Sequence, residues 1–435
     1  MSGEADPGDS FGTFVARARR AGQLVVQPRM GMSNPHTMRS GLLATRAAAG
    51  TTVGTITLDS YTRMGDHQEA AAALAAGSEL NGYPIVAHDL ATTRGVLAGI
   101  AGPDFPVQVR HGSPRPERVF EALLAAGMHA TEGGPVSYCL PYSRVPLADC
   151  VTSWARSCEI LATARGLASE PHLESFGGSM MGQLCPPSLL IAIGILECLF
   201  AREHGVRSVS LSYAQQTNPE QDREAVYALH RLAGELLPDL DWHVVIYTYM
   251  GVYPRTPDGA ARLLAESVRL AVRTGSARLI VKTAAEAYRI PRIAENVAAL
   301  ESSAAVAAAE RAAPPLPPPP DTGIHAEARA LVEAVLDLDA DIGRALVEAF
   351  RRGYLDVPYC LHPDNAGATR SYLDGEGRLC WARTGALPIR APRPAGGADL
   401  TAAGLLASLS YVERKFDDAG LEEQLAVPST LGSQR

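Results

Sequence analysis

Three arginines stand at comparable places in the chain. Arg29 closes Gln27-Pro28-Arg29, Arg63 closes Asp59-Ser60-Tyr61-Thr62-Arg63, and Arg110 closes Val107-Gln108-Val109-Arg110. Each follows a short apolar segment. Guanidinium groups brought to one place repel each other unless an anion sits among them, and their planar forks match carboxylate or phosphate oxygens. The implied ligand is a di- or tricarboxylate or a phosphate. Alternatively, each arginine pairs with a neighbouring acid at a rim. Glu132 precedes Gly133 and Gly134. It could accept a proton, bind a substrate ammonium, or simply pair with an arginine. Tyr138 and Tyr142, in Ser137-Tyr138-Cys139-Leu140-Pro141-Tyr142, are hydrogen-bond donors to a ligand or packing aromatics. Of 39 basic residues only two, Lys282 and Lys415, are lysines. Lys282 ends an apolar run, and Glu286 follows one turn later. In a chain that otherwise uses arginine, this lysine suits a Schiff base or a point cation aimed at oxygen atoms, or else it snorkels from a strand end.

These side chains act together only if a scaffold gathers them. Eight segments read as strands: Leu24–Arg29, Val53–Leu58, Pro84–His88, Pro106–Arg110, His129–Glu132, Ser208–Tyr213, His243–Met250 and Arg278–Thr283. Amphipathic stretches alternate with them, among them Pro116–Ala126, Glu220–Leu236 and Pro257–Arg273. Alternation at this spacing predicts a parallel sheet with crossover helices. Eight strands favour an α/β fold of the (β/α)8 barrel type over an open doubly wound sheet. A ninth, weaker candidate at His172–Phe176 implies that one of the eight is misassigned. In such a barrel the catalytic groups lie at the carboxyl ends of the strands, where Arg29, Arg63, Arg110, Glu132 and Lys282 fall. Of the histidines, only His111 belongs at that mouth.

The expected organisation is a catalytic barrel over 1–311, a Pro-rich linker over 312–322 and a C-terminal extension over 323–435 that packs on the barrel. The run Ala312–Pro320 reads as a semi-rigid spacer. Helical stretches are expected over Ile324–Gly353 and Ala402–Ala419, with a loop-rich region between them and a Pro/Gly-rich patch at Arg390–Gly397.

Composition closes off several classes. The chain has 435 residues, 46% hydrophobic and 20% charged, which excludes overall disorder. A net charge of −8 argues against nucleic-acid binding. The apolar run Leu189–Ala201 contains Glu197 and is too short to span a bilayer, so it reads as a buried helix rather than a membrane anchor. The first residues are acidic and do not read as a secretory signal. The 7 cysteines are odd in number and show no CxxC, as expected of a reducing cytoplasm without structural zinc. No P-loop, GxGxxG after a strand, or HExxH is present.

The segments QPRMG, DSYTR, LNGYP, VQVRHGSP, TEGGPVSYCLPY, CPPS, IVKTAAEAYRIP and LDVPY occur in this order. In combination they resemble the catalytic epsilon (E) subunit of adenosylcobalamin-dependent glutamate mutase, or methylaspartate mutase, across about residues 20 to 370. The resemblance implies a (β/α)8 barrel and a radical rearrangement of glutamate to 3-methylaspartate. It implies that Arg29, Arg63 and Arg110 form a claw around two substrate carboxylates. It further implies that Glu132 binds the substrate amino group, that Tyr138 and Tyr142 face the substrate, and that Lys282 and Glu286 lie against the deoxyadenosyl ribose. Asn81, from the LNG motif, and Gly31, from PRMG, are expected near the coenzyme.

The implied cofactor, adenosylcobalamin, would be shared with a small flavodoxin-like partner subunit that carries a DxHxxG motif. Two copies of the present chain would stand in a heterotetramer. The nearest local string, Asp241-Trp242-His243, lacks the glycine and falls inside an expected strand, so it is rejected as that motif. The chain departs from the family at Pro135 and Cys139, where glycine and asparagine are usual, and at Tyr247-Thr248-Tyr249, where a His-Gln-Trp run is usual. These departures leave the substrate open between glutamate and another amino-dicarboxylate or carboxylic acid. The Ala/Arg bias suggests, by analogy, specialised metabolism. A degenerate barrel serving as a scaffold would have lost its site residues, and these are present.

Overall fold

The structure is a computed structural model that describes residues 10–166, 169–177, 184–390 and 401–426. Nine parallel strands form one sheet: β1 (Val25–Gln27), β2 (Thr51–Thr52), β3 (Gly54–Thr57), β4 (Val107–Arg110), β5 (Ala130–Glu132), β6 (His172–Ser175), β7 (Ser208–Ala214), β8 (Asp241–Tyr247) and β9 (Arg278–Ile280). Their spatial order is β2-β1-β9-β8-β7-β6-β5-β4-β3. β2 and β3 are consecutive in the chain, with only Val53 between them, and act as one stave. Its first half pairs with β1 and its second half with β4, so the sheet closes as an eight-staved barrel. Helices surround it, in the (β/α)8 manner.

Two strand expectations exchange places. Pro84–His88 is a turn, not a strand: the Ala87 and His88 N–H groups both donate to Pro84 O, at 3.0 and 3.1 Å. Proline cannot donate to a ladder, and Ile85 is apolar because it packs into the core of this turn. His172–Ser175 supplies the missing stave. Its ambiguity had a cause: it carries His172 and Glu174 inward, so it lacks the apolar pattern of an ordinary strand.

The barrel interior explains that pattern. Inward-facing residues recur every two positions. At the amino-terminal end, Val25, Val53 and Ala130 meet helix Phe11–Arg20, which plugs the barrel with Phe11, Phe14 and Val15. Above this apolar plug lies a polar layer in which Gln27 donates to Thr55 (2.9 Å) and to Gln108 (2.8 Å). Within it, Arg278 pairs with Glu174, and both are fully buried. The carboxyl-terminal residues follow two positions beyond this layer: Arg29 after Gln27, Thr57 after Thr55, and Arg110 after Gln108.

Helix Pro187–Glu203 is buried on all sides because helix Ile324–Leu336 covers the face turned away from β6 and β7. The expected helix Ile324–Gly353 is two helices, Ile324–Leu336 and Ile342–Arg352. The last expected helix is likewise two, Ala402–Leu409 and Tyr411–Ala426, the second of which packs on Pro257–Arg273. The proline run is strapped to the barrel: Arg223 donates to Pro317 O, and Glu224 accepts the Thr322 N–H at 2.7 Å. The Pro/Gly-rich patch beyond Arg390 lies outside the described residues. Among the described residues no helix is long and apolar enough to cross a membrane.

Candidate active site

A cavity of about 340 Å³ opens at the carboxyl ends of the strands. Arg29, Arg63, Arg110, Glu132, Tyr138 and Tyr142 all line it, together with His111, Thr57, Ser60, Met64, Phe176 and Met250. Seven side chains singled out from the sequence, His111 among them, therefore meet at one place from four separate segments of the chain.

Local structure positions each of them. Arg63 lies on the short helix Ser60–Met64, which Asp59 caps through the Thr62 N–H at 3.0 Å. Its guanidinium donates to Ser60 Oγ at 3.1 Å, and Asn81 holds that same hydroxyl at 2.6 Å. Asn81 thus stands behind Arg63 and does not line the cavity. Gly31 stands behind the wall as well. A Cβ there would lie 2.0 Å from Thr57 O, so only glycine lets the β1 loop close against β3.

Glu132 ends β5, and the loop after it is built by close packing. Gly133 has φ +116°, and a Cβ on Gly134 would lie 2.2 Å from the Glu197 carboxyl carbon. Glu197 accepts the N–H groups of Val136 (3.0 Å) and Ser137 (2.8 Å) and the Ser137 hydroxyl (2.9 Å). Burial pushes this carboxyl up to about 7. It fixes the turn that carries Tyr138 inward, packed edge-on against His111, Trp154 and Phe176.

The electrostatics follow from these contacts. Arg110 Nε donates to Glu132 Oε2 at 2.6 Å, and its guanidinium lies 5.1 Å over the Tyr247 ring. Tyr138 donates to the other Glu132 oxygen. Burial and the Glu132 charge push the Tyr138 hydroxyl well above its usual range, which keeps it a donor. The Tyr247 hydroxyl reaches Glu132 at 3.0 Å and also Glu174, linking the cavity floor to the polar layer beneath. Arg29 pairs with Glu286 at 2.6 Å. Arg63 is the one guanidinium of the three without a carboxylate partner among the described residues. Burial lowers His111 to about 3, so its ring is neutral. Its Nδ1 accepts the Ser113 N–H at 3.0 Å, which leaves the proton on Nε2.

Lys282 and Glu286 stand beside the cavity and do not line it. Lys282 Nζ donates to Tyr249 O at 3.3 Å and lies 4.2 Å over the Tyr253 ring, and burial lowers it to about 8. The Tyr253 hydroxyl is buried and has no hydrogen-bond partner among the described residues. The motif reading missed Phe176, Thr57, Ser60, Met64 and Met250 in the wall, and Glu174, Tyr247, Arg278 and Glu197 behind it. An acid in His172-Leu173-Glu174-Ser175 and an arginine opening β9 were the available signals, each ordinary when taken alone. His243, in the rejected Asp241-Trp242-His243 string, lies within β8 and stacks on His172 at 5.1 Å.

A (β/α)8 barrel with convergent arginines and an acid in a cavity at its carboxyl-terminal face has the layout of an enzyme site. Comparison with known proteins narrows the class. The family model described as methylaspartate mutase E chain matches residues 7–393, and the chain belongs to that family of isomerases. It is 33% identical to the glutamate mutase epsilon subunit of Halobacterium salinarum, over 86% of this chain and 80% of the relative. It is 30% identical to the glutamate mutase epsilon subunit of Escherichia coli O157:H7, over 87% and 81%. For the glutamate mutase epsilon subunit of Treponema denticola the identity is 27%, over 88% and 81%.

Proposed function

We propose that the chain is the catalytic subunit of a coenzyme B12-dependent carbon-skeleton mutase that interconverts L-glutamate and 3-methylaspartate. The observation that carries this reading is the charge content of one cavity wall: three guanidiniums, one carboxylate and two phenols. Two substrate carboxylates suit the arginines, and one ammonium suits Glu132. A dicarboxylate without an amino group would leave Glu132 facing like charge. Arg63, free of any acid partner among the described residues, receives the first carboxylate. Arg110 remains tied to Glu132 while its outer N–H groups meet the second. Tyr138 holds Glu132 in place so that this carboxylate can orient the ammonium, and Thr57 Oγ1, buried without a partner among the described residues, offers one further polar contact.

The wall also fits the cofactor this family implies. Tyr61 and Met64, on the helix Ser60–Met64, and Val252, Tyr288 and Ile290 are exposed apolar side chains in segments that follow the strands. An apolar rim around a polar cavity suits a broad, flat ligand and the face of a small cobalamin-binding partner subunit. Lys282, Glu286 and the unpartnered Tyr253 hydroxyl are the polar groups that would hold the adenosyl end. When bound, adenosylcobalamin supplies the radical that removes a substrate hydrogen, and the closed barrel keeps water from it. The barrel's own residues bind, orient and exclude water.

The test is calorimetric titration with L-glutamate and with glutarate, followed by turnover with coenzyme and partner supplied. Glutamate should bind at least ~10-fold more tightly, about 1.4 kcal/mol. Equal affinity would overturn the assignment of Glu132. A second reading, a larger amino-dicarboxylate, is favoured by Cys139 and Tyr247, which depart from the family beside the cavity. Turnover of such a compound and not of glutamate would select it.

A further inference from the structure

Cys139 lies between the two tyrosines of the cavity wall. Its Sγ is 2.9 Å from Sγ of Cys150, which sits in the first turn of helix Leu147–Ala162. Both cysteines are buried and free. Among the described residues no other two cysteine sulfurs are in hydrogen-bond contact. The thiols form a short chain: Cys150 donates to Cys139, and Cys139 donates to Val145 O at 3.3 Å.

Two donors face the Cys139 sulfur. His362 Nε2 lies 3.7 Å away while bonded to Val145 O at 3.0 Å, and Ser143 Oγ lies 3.9 Å away while donating to Cys139 O at 2.9 Å. His362 Nδ1 accepts the Asp364 N–H at 3.1 Å, so its proton is on Nε2, pointing toward Cys139 and Val145 O. These donors can turn to the charge left on Cys139 Sγ once its proton has gone, before the sulfur attacks an electrophile. The hydrogen bond that Cys150 gives to Cys139, together with burial, pushes the Cys150 thiol up. Ser143, Val145, Cys360 and His362 also line a solvent-open cleft of about 760 Å³ on the outer side of this loop, so one layer of side chains separates the buried Cys139 from that cleft.

We propose that Cys139 and Cys150 are a reversible oxidation site, closed to a disulfide by a peroxide, and that closure retunes the substrate cavity through Tyr138 and Tyr142. Cys139 Sγ attacks one peroxide oxygen, the O–O bond breaks, and one water leaves as a sulfenic acid forms. Cys150 Sγ then displaces the sulfenic hydroxyl, a second water leaves, and the S–S bond forms. Two thiols lose two electrons and two protons, and the peroxide is reduced to two waters. A disulfide of about 2.05 Å draws the sulfurs together by about 0.9 Å and ties the tyrosine loop to the helix. Tyr138 holds Glu132, and displacements of this size at a positioned group cost as much as ~100-fold in rate. The effect on the cavity rests on the substrate reading given above, whereas the cross-link does not.

Trypsin cuts after Arg144, between the two cysteines, so a non-reducing peptide map reads the link directly. Hydrogen peroxide should lower the intact mass by about 2 Da, the two thiol hydrogens, and join the Cys139 and Cys150 peptides. Dithiothreitol should reverse both changes, and Cys150→Ala should prevent the link. Oxidised protein should bind glutamate at least ~10-fold more weakly and recover on reduction, with Cys139→Ala, which lacks the attacking thiol, indifferent to peroxide. Unlinked Cys139 and Cys150 peptides after treatment, with oxidation confined to the partly exposed Cys380, would overturn the site. A formed link with unchanged glutamate affinity would overturn its effect on the cavity. A reduced chain that binds no glutamate would count against the substrate reading and leave the mass result standing.

Discussion

Arg110 and Glu132 form an ion pair of 2.6 Å whose side chains are only 5% and 3% exposed, yet both face the cavity. The cavity therefore contains its own compensated charges. A charge pair this far from water holds only if its remaining donors and acceptors are satisfied. Tyr138 and Tyr247 satisfy Glu132, and the Tyr247 and Phe176 rings flank Arg110.

Arg110→Lys keeps the charge and loses the planar fork. The ammonium cannot hold Glu132 and a substrate carboxylate in one plane. Substrate affinity should fall by about 2 kcal/mol, roughly 30-fold, with a comparable loss in kcat/KM. Titration calorimetry and initial rates check this. Unchanged affinity would remove Arg110 from the substrate's contacts.

Glu132→Gln separates substrate binding from the ion pair. The amide oxygen still accepts from Arg110, but no negative charge remains for an ammonium. Glutamate binding should weaken by about 2 kcal/mol, while glutarate binding holds or improves. Parallel titrations of the two ligands give the answer, and equal losses for both would show that Glu132 does not read the amino group.

Glu197 makes stability depend on pH. Its carboxyl stands near 7 in the folded chain against 4.5 when unperturbed, so between those values the folded state binds more protons than the unfolded one. Stability must then fall as pH rises from about 5 to about 7, by roughly 3 kcal/mol, and level off above. Glu197→Gln should remove that slope. Its amide oxygen can still accept from Val136 and Ser137, and its NH2 can donate to Ser137 Oγ. Urea unfolding of both proteins across this range measures the difference, and parallel pH curves would refute the assignment.

Gly134→Ala should damage the site from behind. Its Cβ would fall 2.2 Å from the Glu197 carboxyl, in a region with no slack. A loss of about 2 kcal/mol in stability or more is expected, together with weaker glutamate binding as Tyr138 and Glu132 shift. A thermal melt and a titration of the same sample test both effects. A variant with wild-type stability would mean that the loop can move away from Glu197.

Much of this site was legible from residue types and their places. Arg29, Arg110 and Glu132 stand at strand ends because apolar alternation marks the strands and a barrel gathers their carboxyl ends. Arg63, Tyr138 and Tyr142 were legible in the same way, from the segments that follow the strands, and motif order then named the family they resemble. The same alternation misled at Pro84–His88, where apolar residues pack in a turn, and at His172–Ser175, where a true stave carries polar residues inward. Lys282 drew notice as a lone lysine at a strand end, and Tyr249 O and the Tyr253 ring hold it beside the cavity and out of its wall.

By itself the chain determined which charges exist, how many, and that they recur at strand ends, because side-chain chemistry and the two-residue repeat are local properties. Only the tertiary structure decided which charges find each other. Arg278 meets Glu174 across 104 residues, and Arg29 meets Glu286 across 257. Arg63 alone among the three arginines is left without an acid among the described residues. Pairing depends on distance through space in a medium that excludes water, and closure of the barrel sets that distance.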